Sequence, residues 1–409
     1  MKQIKTGALA LLTTGALTAA LAGCGPASAS TSSTPSASTV STIKIGTLYA
    51  GSGSFATSSL PEYHGLQFWA NQVNQHGGVY VKSLHKKVKV KIVSYNDQSS
   101  PTTATSLYNQ LITVNHVNLL VADFGSVLTS VAVPLAQEHH MVLFDQTGTG
   151  TTFFTPSNHD IVLTDLPTSG LWPDSLATYL IQHHFKKVAI AYDTNDFDQS
   201  QNNTLVSKLK AAGITPVYDQ GLSTSTSNYS VPLHNIAATH PQAVVELGYP
   251  PNDIAFLQAL KSSGSTFPFV FTIFPGQLPQ LFQSNVGLSA LNNLYTYPAP
   301  PIIKRPNVNY GLKLSAFKTA YAKTGHTVNF LSIAGYNTGL IMQKVLATST
   351  SLKQSSLRQA AGQISGTLTT LDGKFTINSE GAQIGETLPV GQFHVTNGKL
   401  KMSVLSPLK

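Results

Sequence analysis

The sequence predicts an α/β chain built as two similar, doubly wound lobes. Short β-prone runs alternate with segments of helical period from residue 43 onward. Several of those runs are continuously apolar, as parallel strands covered on both faces must be. The alternation also occurs twice, over about 43–165 and again over about 168–298, and repeated βα units define a doubly wound architecture. At 409 residues the chain exceeds one ordinary core, and 42% hydrophobic residues are enough to fill two, which excludes wholesale disorder.

Taken in order, Ile43-Lys44-Ile45-Gly46-Thr47-Leu48 is the first strand, ending in the small-residue loop Ala50-Gly51-Ser52-Gly53-Ser54. Tyr63, Leu66, Ala70 and Val73 recur at helical spacing until Gly77-Gly78 stops the helix. Val88, Val90 and Ile92 alternate with Lys87, Lys89 and Lys91, the pattern of a half-buried strand whose lysines form a solvated edge. Ala104, Leu107, Tyr108, Leu111 and Ile112 mark a helix started by Pro101-Thr102. Strands at 119–122 and 141–144 enclose a helix carrying Val127, Leu128, Val131 and Leu135, with Pro134 as a kink or restart. The pattern then restarts with strands at 188–192, 243–247 and 269–274. Helices lie between them, one through Leu205 and Leu209 to Gly213 and another over 254–260. The Pro-rich crossover Tyr297-Pro298-Ala299-Pro300-Pro301 leads to a helical tail, 331–346, and a β-like end, 373–404.

The first residues read as an export signal. Lys2 and Lys5 precede an apolar run too short and too punctuated for a membrane span, which needs about 20 apolar residues. Leu21-Ala22-Gly23-Cys24 resembles the bacterial lipobox, in which the cysteine takes a diacylglycerol before cleavage, and Cys24 is the chain's only cysteine. A signal peptide over 1–23 and a Ser/Thr/Pro-rich tether over 24–42 are therefore expected, placing the folded body outside the cytoplasm on a lipid anchor. One cysteine excludes an intramolecular disulfide framework and a thiolate zinc cluster. The net charge of +8 would suggest nucleic acid in a cytosolic protein, but the export signal argues against that compartment. Charged residues are only 10% of the chain, so hydroxyl and amide side chains cover much of the surface. Such a body is expected to tolerate acid, because few native carboxylates wait to be protonated.

Open α/β sheets bind ligands beyond the carboxyl ends of their strands. Three loops there are small and hydroxylic: 51–54, Gly125-Ser126, and Thr147-Gly148-Thr149-Gly150-Thr151-Thr152. Each alone is ordinary capping and turn chemistry. Together they suit a small anion held by main-chain N–H groups and hydroxyls.

The order of elements resembles the branched-chain amino-acid (Leu/Ile/Val) binding proteins of ABC importers, which have the type I periplasmic-binding-protein fold: two lobes, a hinge and an interlobe cleft. The resemblance is carried by Ile43-Lys44-Ile45-Gly46, Ser52-Gly53, Asn74-Gln75-His76-Gly77-Gly78, Tyr95-Asn96-Asp97 with Pro101, and Gly335-Tyr336-Asn337-Thr338, spread over residues 43–405. It implies a first lobe of 43–165 with about 299–350 and a second of 166–298 with about 351–409. It also implies a site. Ser126 matches the serine that binds the ligand carboxylate, and Thr147, Gly148 and Thr149 match a segment doing the same. Phe197 and Tyr249 stand where the family places aromatic residues of the second lobe, and Ser58 stands where its first loop offers a tyrosine. The family's glutamate for the ligand ammonium falls near Pro275, where no carboxylate exists. Asp145, Asp193 or Glu246 would have to substitute, or the ligand lacks an α-ammonium.

The implied function is an importer's solute-binding lipoprotein, a monomer that presents an amino acid or a related carboxylate or amide to permease subunits. A sensor feeding a signalling receptor would share the fold. No Gly-x-Ser-x-Gly elbow, dinucleotide fingerprint, phosphate loop or His-Glu-x-x-His motif is present, so neither an enzyme nor a cofactor is expected. His139-His140 and His183-His184 are adjacent in sequence. Helical neighbours point about 100° apart and do not share a metal, so these read as surface or capping residues.

Overall fold

The computed structural model describes residues Val40–Leu405; the expected signal segment 1–23, the lipidation residue Cys24 and the tether up to residue 39 lie outside them. The first half runs β1 (Thr42–Tyr49), α1 (Ala56–Gln75), β2 (Val79–Val81), β3 (Lys86–Asn96), α2 (Pro101–Thr113), β4 (Leu119–Val121), α3 (Gly125–Glu138), β5 (Leu143–Asp145) and β6 (Ile161–Leu163). The second runs α4 (Pro173–Gln182), β7 (Val188–Asp193), α5 (Asp196–Ala211), β8 (Tyr218–Leu222), α6 (Ser230–Ala238), β9 (Ala243–Leu247), α7 (Pro250–Ser263), β10 (Phe269–Phe271), α8 (Pro279–Val286), α9 (Leu288–Leu291) and β11 (Tyr295–Thr296). The chain closes with α10 (Leu314–Ala322), α11 (Phe330–Thr348), α12 (Gln354–Ile364), β12 (Leu368–Thr370), β13 (Gly373–Phe375), β14 (Gly391–Thr396) and β15 (Lys399–Val404).

Two large sheets result. One has the order β2-β3-β1-β4-β5-β6 and the other β15-β14-β11-β10-β9-β7-β8. Apart from the β2–β3 hairpin and the β14–β15 pair added at one edge, the strands are parallel. The first strand of each lobe lies between its second and third parallel strands. Strand order therefore reverses between β1 and β4 in one lobe and between β7 and β9 in the other, and crevices open at those two places. The buried strands are the continuous apolar runs of the sequence: all of β4, β5 and β9 is inaccessible to solvent. Ser100 caps α2 by accepting from Thr103 N at 3.2 Å, with Pro101 at the first helical position, which is the start that Pro101-Thr102 signals.

The tail divides differently from the expected boundary near 351. β14 and β15 extend the second sheet, but Leu357, Ala361, Leu368 and Phe375 of α12, β12 and β13 share a core with Ile43 and Val90 of the first. The return to the second lobe thus comes after residue 377. Helix α11 packs its full length on α1, and glycine makes the approach possible. A Cβ on Gly335 would lie 1.9 Å from the Glu62 carbonyl oxygen, and one on Gly65 would lie 2.2 Å from that of Ser332. Gly335-Tyr336-Asn337-Thr338 therefore sits inside α11, on the turn that meets α1. The helix begins at a capping box in which Asn329 and Ser332 satisfy each other's main-chain N–H groups.

Candidate functional site

The two switch points face each other. After β4 the chain turns through Asp123-Phe124-Gly125 into α3, and after β7 and β9 it turns through Asn195 and Gly248-Tyr249 into α5 and α7. Gly125 has φ +76, and a Cβ there would lie 3.0 Å from the Tyr249 ring. Only glycine combines that backbone with that closeness. Tyr249 consequently lies over the start of α3, where its hydroxyl accepts from Ser126 N at 2.9 Å. Thr152 Oγ1 donates to Asp196 Oδ2 at 2.7 Å, and Thr151 and Ser200 share a hydroxyl–hydroxyl bond of 2.7 Å, so the lobes sit closed on one another.

Between them is a cavity lined by Phe124, Thr147, Thr149, Asp165, Leu166, Trp172, Phe197, Tyr249, Phe274, Gln277 and Phe330. It leaves about 20 Å³ of free space, room for roughly one water, so a ligand of amino-acid size enters only when the lobes part. The rings form a continuous wall. Trp172 meets Phe197 edge-on at 5.1 Å, Phe197 stacks on Tyr249 at 5.4 Å, and Tyr249 on Phe274 at 6.3 Å. Polar atoms interrupt the wall without partners: Thr149 Oγ1, both oxygens of Asp165, and both amide atoms of Gln277. Leaving a buried polar atom unsatisfied costs about 1–3 kcal/mol. Such a set, converging on one cavity, suits a ligand that supplies the missing partners.

The structure brings four of the expected residues to this cavity: Thr147, Thr149, Phe197 and Tyr249. Thr147 is tied on both sides, accepting from Gly125 N at 3.0 Å and donating to Glu62 Oε1 at 2.9 Å. Ser126 lies one layer behind. Its N–H is engaged by Tyr249, and its hydroxyl accepts from Gly150 N at 2.9 Å. Gly148 turns away from the cavity and donates to Asp145 Oδ1 at 2.7 Å. Ser58 is buried in the first turn of α1 and does not line the cavity. The loop at 51–54 is also absent from the lining: Gly51 N donates to Asn96 Oδ1, and the Ser99 hydroxyl to the Ser52 carbonyl. His139 and His183 cap the C-terminal ends of α3 and α4.

None of the three expected substitute carboxylates reaches the cavity. Asp145 is held by Gly148, Glu246 Oε1 accepts from the Tyr229 hydroxyl at 3.1 Å, and Asp193 lies beside Glu246. The carboxyl that does line it, Asp165, and the amide Gln277, two residues beyond Pro275, were not singled out in the sequence. Trp172 and Phe274 were not either. Asp165, Trp172 and Gln277 stand in segments without periodicity, and Phe274 closes the run 269–274 expected as a strand, of which β10 forms only Phe269–Phe271.

Acidic side chains are few, yet ten of the chain's 17 are buried: Glu62, Asp97, Asp123, Asp145, Asp165, Asp193, Asp198, Glu246, Asp253 and Asp372. Burial pushes every one of them up, and neighbouring carboxyls push several further. Asp145 reaches about 8 and Asp193 about 9. Among the described residues no group of three His, Cys, Asp or Glu could hold a metal ion.

Twin switch points closing on a cavity lined by unpaired polar atoms define a two-lobed clamshell of the type I periplasmic-binding-protein fold. The chain belongs to the periplasmic binding protein family, whose model matches residues 42–399. It is 23% identical to the Leu/Ile/Val-binding protein of Citrobacter freundii over 261 residues, 63% of this chain and 67% of that one. In structure it is similar to a leucine-binding protein of Thermotoga maritima, with a TM-score of 0.76 and 15% identity over 88% of this chain and 98% of that one. It is likewise similar to a solute-binding protein of R. palustris solved with benzoate, with a TM-score of 0.74 and 15% identity over 90% and 97% of the two chains. No helix among the described residues is long and apolar enough to cross a membrane.

Proposed function

We propose that this chain is the solute receptor of an ABC importer, held at the outer face of the membrane by a lipid on Cys24. It takes up an amino acid or a related small molecule and closes its lobes upon it. The reading is supported by one observation above others: the crevices of both sheets open on the same cavity, and its unpaired polar atoms come from the first lobe (Thr149), the second (Gln277) and the segment joining them (Asp165). A solute that satisfies both lobes at once binds the closed form preferentially and shifts the population toward it. The permease subunits would then read closed against open. The relatives named for leucine, isoleucine and valine, and the similar structure solved with benzoate, set the range of ligand size. A receptor of this kind binds and releases its solute without converting it.

The chain has two tryptophans; Trp172 lines the cavity, while Trp69 is buried where α1 meets α11. In a Trp69→Phe background, emission therefore reports on the cavity alone. Titration with amino acids, short carboxylates and amides is expected to give a saturable change with at least one of them. A flat response across the panel, with no shift in melting temperature, contradicts the proposal.

A further inference from the structure

The β3 lysines, expected on a solvated edge, instead share an open face of the first sheet. Strand register sets this. Ile43, Ile45, Val88 and Val90 point into one core with α1 and α11, so the residues alternating with them point the other way. On that outer side Lys44 stands opposite Lys91, Thr42 opposite Lys89, and Tyr80 opposite Lys87. Cover there begins only at Gly46, where an added Cβ would lie 2.9 Å from Val117 Cγ2. Before it Lys44, Lys87, Lys89 and Lys91 are exposed, Tyr80 is 43% exposed among them, and Lys82 and Lys86 flank them at the hairpin.

Nothing negative balances this corner. From Val40 to Ala122 the chain has six lysines and two acids, Glu62 and Asp97, and both acids are fully buried. The ion pairs among the described residues, Lys208 with Asp174 and Arg305 with Glu386, involve none of these lysines. Lys44 Nζ donates to the Asn115 carbonyl at 2.9 Å, Lys87 Nζ to that of His76 at 3.1 Å, and Lys89 Nζ to that of Asn74. These bonds fix three ammonium groups beside the ends of α2 and α1 without cancelling their charge. Like charges directly opposite each other destabilise a sheet, and a face that served solubility alone would mix both signs. One sign, held in place around a ring, calls for a negatively charged partner.

We propose that this face docks on an anionic membrane surface. The lysines attract the headgroups, and Tyr80 supplies an aromatic ring with a polar tip, the kind that settles at the boundary between headgroups and acyl chains. The inference rests on the lipid anchor at Cys24 in the proposed function, which puts the bilayer on the side from which the chain enters the fold. That entry is at this face, because Thr42 opens β1 beside Lys89. Anchor and lysines then act as two signals, which hold a protein on a bilayer better than one. The corner lies at the amino ends of β1 and β4, and the cavity lies beyond the carboxyl ends, so docking leaves the solute site open.

Vesicle sedimentation tests this on the chain from residue 24, carrying Cys24→Ser so that no lipid masks the face. Residues 1–23 are left off because Lys2, Lys5 and their apolar run would themselves favour bilayers, and Val40–Lys409 is a compact unit by itself. Phosphatidylcholine vesicles with about one third phosphatidylglycerol are expected to retain the protein at least about tenfold better than phosphatidylcholine alone. The difference should vanish near 1 M salt, where charges are screened within about 3 Å. Lys44→Gln, Lys87→Gln, Lys89→Gln and Lys91→Gln together should lower retention at least about tenfold, and the same change at the exposed Lys186, Lys187, Lys318 and Lys323 less than about twofold. Equal retention on both kinds of vesicle, which needs no variant to fold, overturns the inference, and so does an equal loss from both sets of lysines. Retention on heparin but not on vesicles also overturns it, in favour of a soluble polyanion. None of these results touches solute binding, which Trp172 emission reads, and an intact mass showing no lipid on Cys24 would fail the anchor separately.

Discussion

The two lobes share a strand order and differ in what they bring to the cavity. The first contributes Thr147 and Thr149, hydroxyl groups on the loop after β5, with two rings, Phe124 before α3 and Phe330 at the start of α11. The second contributes Phe197, Tyr249 and Phe274, rings beyond the carboxyl ends of β7, β9 and β10, with the Gln277 amide, and Trp172 comes from the crossover that joins the lobes. Topology therefore decides where a site opens, because both switch points must face the gap. The side chains placed there decide what it grips. The first lobe offers chiefly hydroxyls, the second chiefly ring area with one amide, and the acidic group stands between them on the connecting segment.

The comparison sharpens first with pH, where the two lobes should behave alike. Buried acids in both have folded pKa values above their ordinary 3.8, about 8 for Asp145 in the first lobe and about 9 for Asp193 in the second. The folded chain therefore holds protons that the unfolded chain releases. That stabilisation is complete below pH 4 and is lost progressively as pH rises from there to about 8–9. Urea unfolding is expected to give a free energy at pH 4.5 at least about 3 kcal/mol above that at pH 8.5. Stability rising over that window would show that these carboxyls are charged in the fold. Acid tolerance, expected from the scarcity of carboxylates, thus gains a further cause in where most of them sit.

Next come the two walls. Phe197→Ala removes a ring packed between Trp172 and Tyr249 and should cost about 3–5 kcal/mol of stability as well as affinity. Thr149→Ala should weaken ligand binding by about 1–3 kcal/mol and leave the melting temperature unchanged or slightly higher, because its hydroxyl has no partner within the protein. Equal losses of stability in both variants would erase the distinction between an area-giving lobe and a bond-giving one. Tyr249→Phe should have the smallest effect, about 0.5–1.5 kcal/mol, by removing the hydroxyl that receives Ser126 N across the gap. Its signature is a larger radius of gyration before any solute is added.

The fold was legible because its central strands β4, β5, β7 and β9 are apolar runs, β3 alternates, and several helices keep their period. The polar strand β8 (Tyr218–Leu222) carried no such mark. The cavity residues Thr147 and Thr149 were legible as part of a hydroxylic loop after β5, whereas Phe197 and Tyr249 were marked only by the family resemblance. Trp172 and Asp165 lie on a crossover with no period, so nothing local marks them, and the Asp165 neighbour Asp372 is more than two hundred residues away in sequence. Ser126 and Gly148 were legible as loop residues but not as internally bonded ones, since their partners Tyr249 and Asp145 come from the fold. The boundary near 351 failed for a related reason. The apolar stripe Leu357, Ala360, Ala361 and Ile364 shows that α12 packs against a core, but a stripe does not say which.

Small-angle scattering of the chain, with and without a panel of amines, amino acids and carboxylates, tests most directly whether two halves grip a solute between them. The account requires that a solute which alters Trp172 emission also shifts the scattering profile toward the more compact form. Profiles that superimpose for every solute, including one that demonstrably binds, would contradict it.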